Sequence, residues 1–177
     1  RGLGESPTLA MSERCRELRT EGKEVFNMSI GQSPFPVPNS VVKALKMYAR
    51  EKTYLPVKGL PELREAVANS HKQKDGVDVN AENILIGPGS KVLMYLLQLS
   101  FYGEIVVPTP CWVSYVPQAQ LIGRQVRLID TSYEDRWHIS AEKLQNLCES
   151  EHDTYRPIKV VLNSPAINDG SFFTADE

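Results

Sequence analysis

A chain of 177 residues is long enough for one domain with a real core, and 41% hydrophobic with 24% charged residues is ordinary for a globular protein in water. A formal net charge of −2, without a long block of one sign, argues against nucleic acid or a membrane surface as partner. Three cysteines (Cys15, Cys111, Cys148) at unrelated spacings argue against a disulfide framework or zinc site; no membrane-length apolar run or signal-peptide core appears, so the expected location is the cytoplasm.

The first expected element is a charged helix from Thr8 to Gly22, with Leu9, Cys15 and Leu18 as apolar points and Gly22 as its stop. Val25 to Ile30 reads as a short extended piece. It runs into Gly31-Gln32-Ser33-Pro34-Phe35-Pro36-Val37-Pro38, where three alternating prolines exclude helix. Asn39 is expected to cap a helix through Arg50. The loop Tyr54–Gly59 then feeds a helix from Pro61 to Gln73, ended by Asp75-Gly76.

A strand is expected over Asn83–Ile86, followed by the turn Gly87-Pro88-Gly89-Ser90 and an apolar helix from Lys91 to Phe101. Further strands are expected over Glu104–Val107, Gln125–Ile129 and Ile158–Leu162, with helices ending at Ile122 and spanning Ala141–Glu149. Short, continuously apolar strands alternating with helices predict an α/β fold: a largely parallel sheet covered on both faces, in three layers. The final Thr174-Ala175-Asp176-Glu177 reads as a helix start with nothing after it, so the chain is expected to be cut in mid-domain.

Four loops carry possible chemistry. Gly87-Pro88-Gly89-Ser90-Lys91 joins a strand to a helix start, where unpaired N–H groups suit an anion, although alone it reads more readily as an ordinary turn. Trp112, in Pro108-Thr109-Pro110-Cys111-Trp112-Val113-Ser114-Tyr115, either faces a planar ring or packs a helix onto the sheet. Cys111 lacks a nearby His for nucleophilic work; His71, His138 and His152 lie in peripheral segments. Tyr54 with Gly59 is compatible with simple packing, and Gly31 can let backbone approach a ligand.

In this order the loops resemble the class I/II, fold-type I aminotransferases, from about Leu9 to Glu177. Ile30, Gly31, Phe35 and Pro38 match the family's Ile-Gly-x-x-x-Phe-x-x-Pro segment. Tyr54, Gly59, Leu63 and Arg64 match its Tyr-x-x-x-x-Gly-x-x-x-Leu-Arg motif, and the Gly89-Ser90-Lys91 turn and the Trp112-Val113-Ser114-Tyr115 stretch are also present. The resemblance implies residues 1–50 as an N-terminal segment and 51–177 as the first part of the large cofactor domain.

The resemblance further implies pyridoxal 5′-phosphate as cofactor, with an amino acid and a 2-oxo acid as substrates. The phosphate falls to Gly89, Ser90 and Lys91, the ring face to Trp112, and the substrate carboxylate to Gly31. Tyr54 would reach the phosphate of a neighbouring subunit, which implies a homodimer. The loop Asn163-Ser164-Pro165-Ala166-Ile167-Asn168-Asp169-Gly170 matches the family's Asn-x-Pro-x-Asn-Pro-x-Gly with a break: Ile167 stands where an Asn donates to the ring oxygen, and Asn168 can take that place only after a one-residue shift. None of the ten lysines stands in the family's Ser-x-x-Lys-like setting for the Schiff base, so this chain alone is expected to be inactive. A lyase or synthase of the same fold, or a non-catalytic truncated product, are the alternatives.

Overall fold

The computed structural model describes residues 4–28, 31, 33–150, 155–166 and 169–174. Ile30 of the entry segment, Ile167 and Asn168 of the asparagine loop, and the expected helix start at 175–177 lie outside the described residues. The chain forms two compact units, Glu5–Pro88 and Gly89–Glu177.

The first unit holds three helices, α1 (Pro7–Thr20), α2 (Asn39–Tyr48) and α3 (Pro61–Asp75), and a short 3₁₀ turn at Ala81–Asn83. α3 shows both expected signals. Pro61 opens it, where a missing N–H costs nothing, and Gly76 closes it in the left-handed conformation at φ 68°, its N–H donating to the His71 carbonyl. Asn39 is not the cap of α2 but its first helical residue, with Pro38 before it. The expected strand at 83–86 is also absent. The Asn80 side chain accepts from the Glu82 N–H at 3.0 Å and closes a 3₁₀ turn there, and the Ile86 N–H donates to the Lys58 carbonyl at 3.0 Å without building a ladder.

That bond ties the Tyr54–Gly59 loop to the segment after the 3₁₀ turn. Gly59 sits at φ +96°, and a β-carbon there would lie 2.5 Å from Ile86 Cβ, so only glycine lets the two pass. Buried Arg64 adds a second tie, its Nη1 donating to the Ala81 carbonyl and to Glu82 Oε1, both at 3.1 Å. Lys58 Nζ donates to Glu82 Oε2 at 2.8 Å. The motif pair Gly59 and Arg64 therefore acts locally in the packing of this unit.

The hydrogen bond from Lys58, then that from Arg64, hold the Glu82 carboxyl below the usual carboxylate range. A lowered folded-state pKa stabilises above the unfolded value and ceases to do so as pH falls through the folded one. Glu82→Gln is therefore expected to make unfolding less sensitive to acid, measured as urea midpoints at about pH 7 and about pH 3. The effect is small because Glu82 is 66% exposed. Equal pH slopes in parent and variant would refute it.

The second unit is the α/β part: α4 (Ser90–Ser100), β1 (Glu104–Thr109), α5 (Tyr115–Leu121), β2 (Val126–Asp130), α6 (Ala141–Ser150) and β3 (Ile158–Val160). The three strands form a parallel sheet in the order β2-β1-β3, with Ile105 beside Val126 and Glu104 beside Ile158. Parallel strands need crossovers, and the helical connections supply them. Ile105, Val106 and Val107 are each 3% exposed or less, so the central strand is covered on both faces as its apolar run predicts. Ile105, Val107, Tyr115 and Ala119 form the core under α5.

One charge is buried in that sheet. Glu104, 2% exposed, accepts from Arg127 Nε at 3.1 Å across the β1–β2 pair. With the Gln125 amide oriented to satisfy both ends, it donates to Glu104 Oε1 at 3.0 Å and accepts from Arg127 Nη2 at 2.9 Å. Hydrogen bonding of this kind is what lets a carboxylate stay in a core. No helix among the described residues is long and apolar enough to cross a membrane.

Candidate functional site

Three parallel strands send their following loops off the same edge, where open α/β sheets bind ligands. After β1 the chain runs through Pro110 and Cys111 to Trp112; after β3 it runs through Asn163 to Ala166. α4 begins at Ser90. Gly89, at φ +105° with open space where a β-carbon would be, accepts from the Val92 and Leu93 N–H groups at 3.2 and 3.4 Å. No side chain caps this helix, and the first N–H groups of any α-helix lack an intrahelical acceptor. Ser90 and Lys91 are exposed, so their N–H groups, the Ser90 hydroxyl and the Lys91 ammonium form an open cradle for an anion.

This cradle meets the aromatic loop. Lys91 Nζ lies over the Trp112 ring, 5.0 Å from its centroid. The Lys91 carbonyl accepts from Gln118 Nε2 at 2.9 Å, which fastens the first turn of α4 to α5. Buried Gln98 on α4 completes that fastening by donating to Gln118 Oε1 at 3.2 Å. Trp112 is half-buried and meets the edge of Tyr115 at 5.3 Å and 76°. The Tyr115 hydroxyl donates to Asn163 Oδ1 at 2.9 Å.

The structure thus brings Gly89, Ser90 and Lys91 together with Trp112, and links Trp112 through Tyr115 to the start of the asparagine loop. The residue types fit pyridoxal phosphate: helix N–H groups and an ammonium for the phosphate, and an indole for the ring. Tyr54 and Gly31 belong to the Glu5–Pro88 unit, Tyr54 fully exposed and Gly31 beside open space.

An open cleft has Cys111, Tyr115, Trp137, Asn163, Asp169 and Phe173 among its walls. Ser90, Lys91 and Trp112 do not line it; it adjoins their group through Tyr115. Burial pushes the Cys111 thiol up from its ordinary value, away from nucleophilic work. His71 pairs with Asp75 at 2.7 Å, and His138 stacks on Phe173 at 4.3 Å; His152 lies outside the described residues. Among the described residues no cluster of His, Cys, Asp or Glu could hold a metal ion. The contact absent from the sequence reading is Tyr115–Asn163. Its signal was a tyrosine three residues after a candidate stacking tryptophan, but the partner lies 48 residues further on.

Residues 23–177 match the model of the family described as aminotransferase class I and II. The chain is similar to a probable aspartate/prephenate aminotransferase of Rhizobium leguminosarum bv. phaseoli, at 29% identity over 97% of this chain and 43% of the relative. It is 31% identical to an asparagine–oxo-acid transaminase of Streptococcus mutans over 99% of this chain and 45% of the relative. The crystal structure of the aspartate aminotransferase from Rhizobium meliloti superposes with a TM-score of 0.84 at 25% identity, covering 99% of this chain and 44% of that one. The chain spans less than half the length of these relatives. With the family model matched from residue 23 onward and the α/β fold shared with a solved aspartate aminotransferase, the chain belongs to the aminotransferase class I and II family.

Proposed function

We propose that this chain holds pyridoxal phosphate, the cofactor its family uses, as part of an enzyme that moves an amino group from an amino acid to a 2-oxo acid. The observation that carries the reading is the uncapped first turn of α4 set beside an indole, with Lys91 Nζ 5.0 Å from the Trp112 ring. The Ser90 and Lys91 N–H groups and the Ser90 hydroxyl bind the phosphate, and Lys91 adds charge. Trp112 offers its flat face to the ring and keeps water from it. Asn168 is the remaining candidate for the ring oxygen, Gly31 for the substrate carboxylate, and Tyr54 for the phosphate of a second subunit in a homodimer.

Bound pyridoxal phosphate supplies the electron sink for amino-group chemistry. The proton at the substrate's α-carbon needs a lysine amine to move it, and no lysine in this sequence is placed for that work. Burial, then the nearby Arg124, push the Lys159 pKa down, the direction that favours the neutral amine able to accept a proton. Lys159 nevertheless pairs with Ile105 toward the amino end of β1, away from the edge that carries Trp112 and Asn163. The chain by itself is therefore proposed to bind without turnover. Ile167 in place of the ring-contacting Asn favours the second reading, a product that keeps the binding outline and not the reaction.

Titration of the purified chain with pyridoxal phosphate tests this. Saturable binding at one site per chain, competed by inorganic phosphate, is expected, with no amino transfer from any donor. Binding that does not saturate, or that phosphate leaves unchanged, refutes the site.

A further inference from the structure

Resting on the cofactor reading above for its consequence, we propose that Tyr115 is a positioning residue: its hydroxyl fixes Asn163, and with it the start of the loop leaving β3, to the beginning of α5 beside Trp112. Tyr115 opens α5 and is 6% exposed. Its ring packs with Ile105, Val107 and Ala119 and meets Trp112 edge-on at 5.3 Å. A phenylalanine would meet every one of those packing needs. A buried hydroxyl costs desolvation unless it is bonded, and this one donates to Asn163 Oδ1 at 2.9 Å.

Asn163 is exposed and stands two residues past the bond from the Val161 N–H to the Val106 carbonyl, 2.9 Å; the tyrosine ties its side chain to the core, while the next residue is held by the Phe173 N–H donating to Ser164 Oγ at 3.0 Å. The amide stands with its oxygen toward the hydroxyl. With Oδ1 accepting, Nδ2 is left as the donor end, on a residue that lines the open cleft together with Tyr115. One side chain therefore meets both the edge of the indole and the amide of Asn163.

Tyr115→Phe keeps the packing and removes only the bond. Hydrogen–deuterium exchange is expected to rise several-fold in peptides covering residues 161–166 and to stay unchanged across β1. Affinity for pyridoxal phosphate is expected to fall about fivefold, while affinity for inorganic phosphate, which needs only the α4 turn, stays the same. Asn163→Ala should reproduce both effects, and the double variant should add nothing to either single one. Faster exchange across β1 and α5 alike, equal loss for both ligands, or additive single effects would each overturn the assignment. A parent chain that binds no pyridoxal phosphate refutes the cofactor reading instead, and the exchange pattern still decides the bond between Tyr115 and Asn163.

Discussion

Gly103→Ala is expected to remove much of the stability of the Gly89–Glu177 unit. A β-carbon at this position would lie 2.1 Å from the Pro157 carbonyl oxygen and 3.0 Å from that residue's carbonyl carbon, and both are backbone atoms. Gly103 also sits at φ +136°, outside the region that residues with a β-carbon adopt. The threatened carbonyl accepts from the Glu104 N–H at 3.0 Å, beside the first β1–β3 register pair. Relief therefore means pulling β3 away from β1 at its start. Backbone strain of about 1–2 kcal/mol and the lost packing and pairing together reach about 4 kcal/mol, a large part of a typical domain's stability. Gly123→Ala is the control: its φ is +69° but nothing lies within 4 Å of the added carbon, so only about 1 kcal/mol is expected. Urea midpoints followed by circular dichroism measure both. Equal midpoints for the two variants would show that the sheet yields at Pro157 without loss.

The elements legible in the sequence were those with a signal at each end or a run that admits one reading. α3 had Pro61 and Gly76, and β1 had an apolar run bounded by Gly103 and a proline-rich loop. The expected strand at 83–86 failed although Ile84-Leu85-Ile86 is as apolar as β1. An apolar run makes a strand only where a neighbour offers a ladder, and here the partner is the single Lys58 carbonyl. The asparagine at 80, which closes the 3₁₀ turn through its side chain, was the local signal against it. At α2, Asn39 has the right chemistry for a cap, yet the helix begins one residue earlier than that reading because Pro38 already occupies the non-helical position.

The candidate site was legible as separate pieces and not as an arrangement. An uncapped helix start at Ser90 and a tryptophan after a strand can each be read locally, and each alone favours a bland reading. Their closeness depends on the Gln118 bond to the Lys91 carbonyl, which holds α5 to the first turn of α4 across 27 residues of sequence. Nothing local to Gln118 announces that; it is a polar residue on a seven-residue helix, buried because its partners are a backbone carbonyl and Gln98. The Tyr115–Asn163 bond was hidden for the same reason, since spacing within a motif says nothing about a partner in another loop.

Trp112→Ala is expected to weaken pyridoxal phosphate binding about 30-fold. Stacking of a planar ring on indole contributes roughly 0.5–1.5 kcal/mol beyond the area it removes from water, and the area adds a comparable amount, giving about 2 kcal/mol. The loss must be separated from damage to packing, because Trp112 also touches the core beside Tyr115. Trp112→Phe makes that separation: it keeps a flat apolar face and most of the packing, and should lose only a few-fold in affinity. Inorganic phosphate makes a second one. It uses the α4 turn without the ring, so Trp112→Ala should leave its affinity unchanged, whereas Lys91→Met, which removes the ammonium beside both, should weaken both ligands. If Trp112→Ala lowers the affinities for phosphate and cofactor by the same factor, the indole serves only to seat α5 against the sheet, and the bland reading of this tryptophan is the correct one.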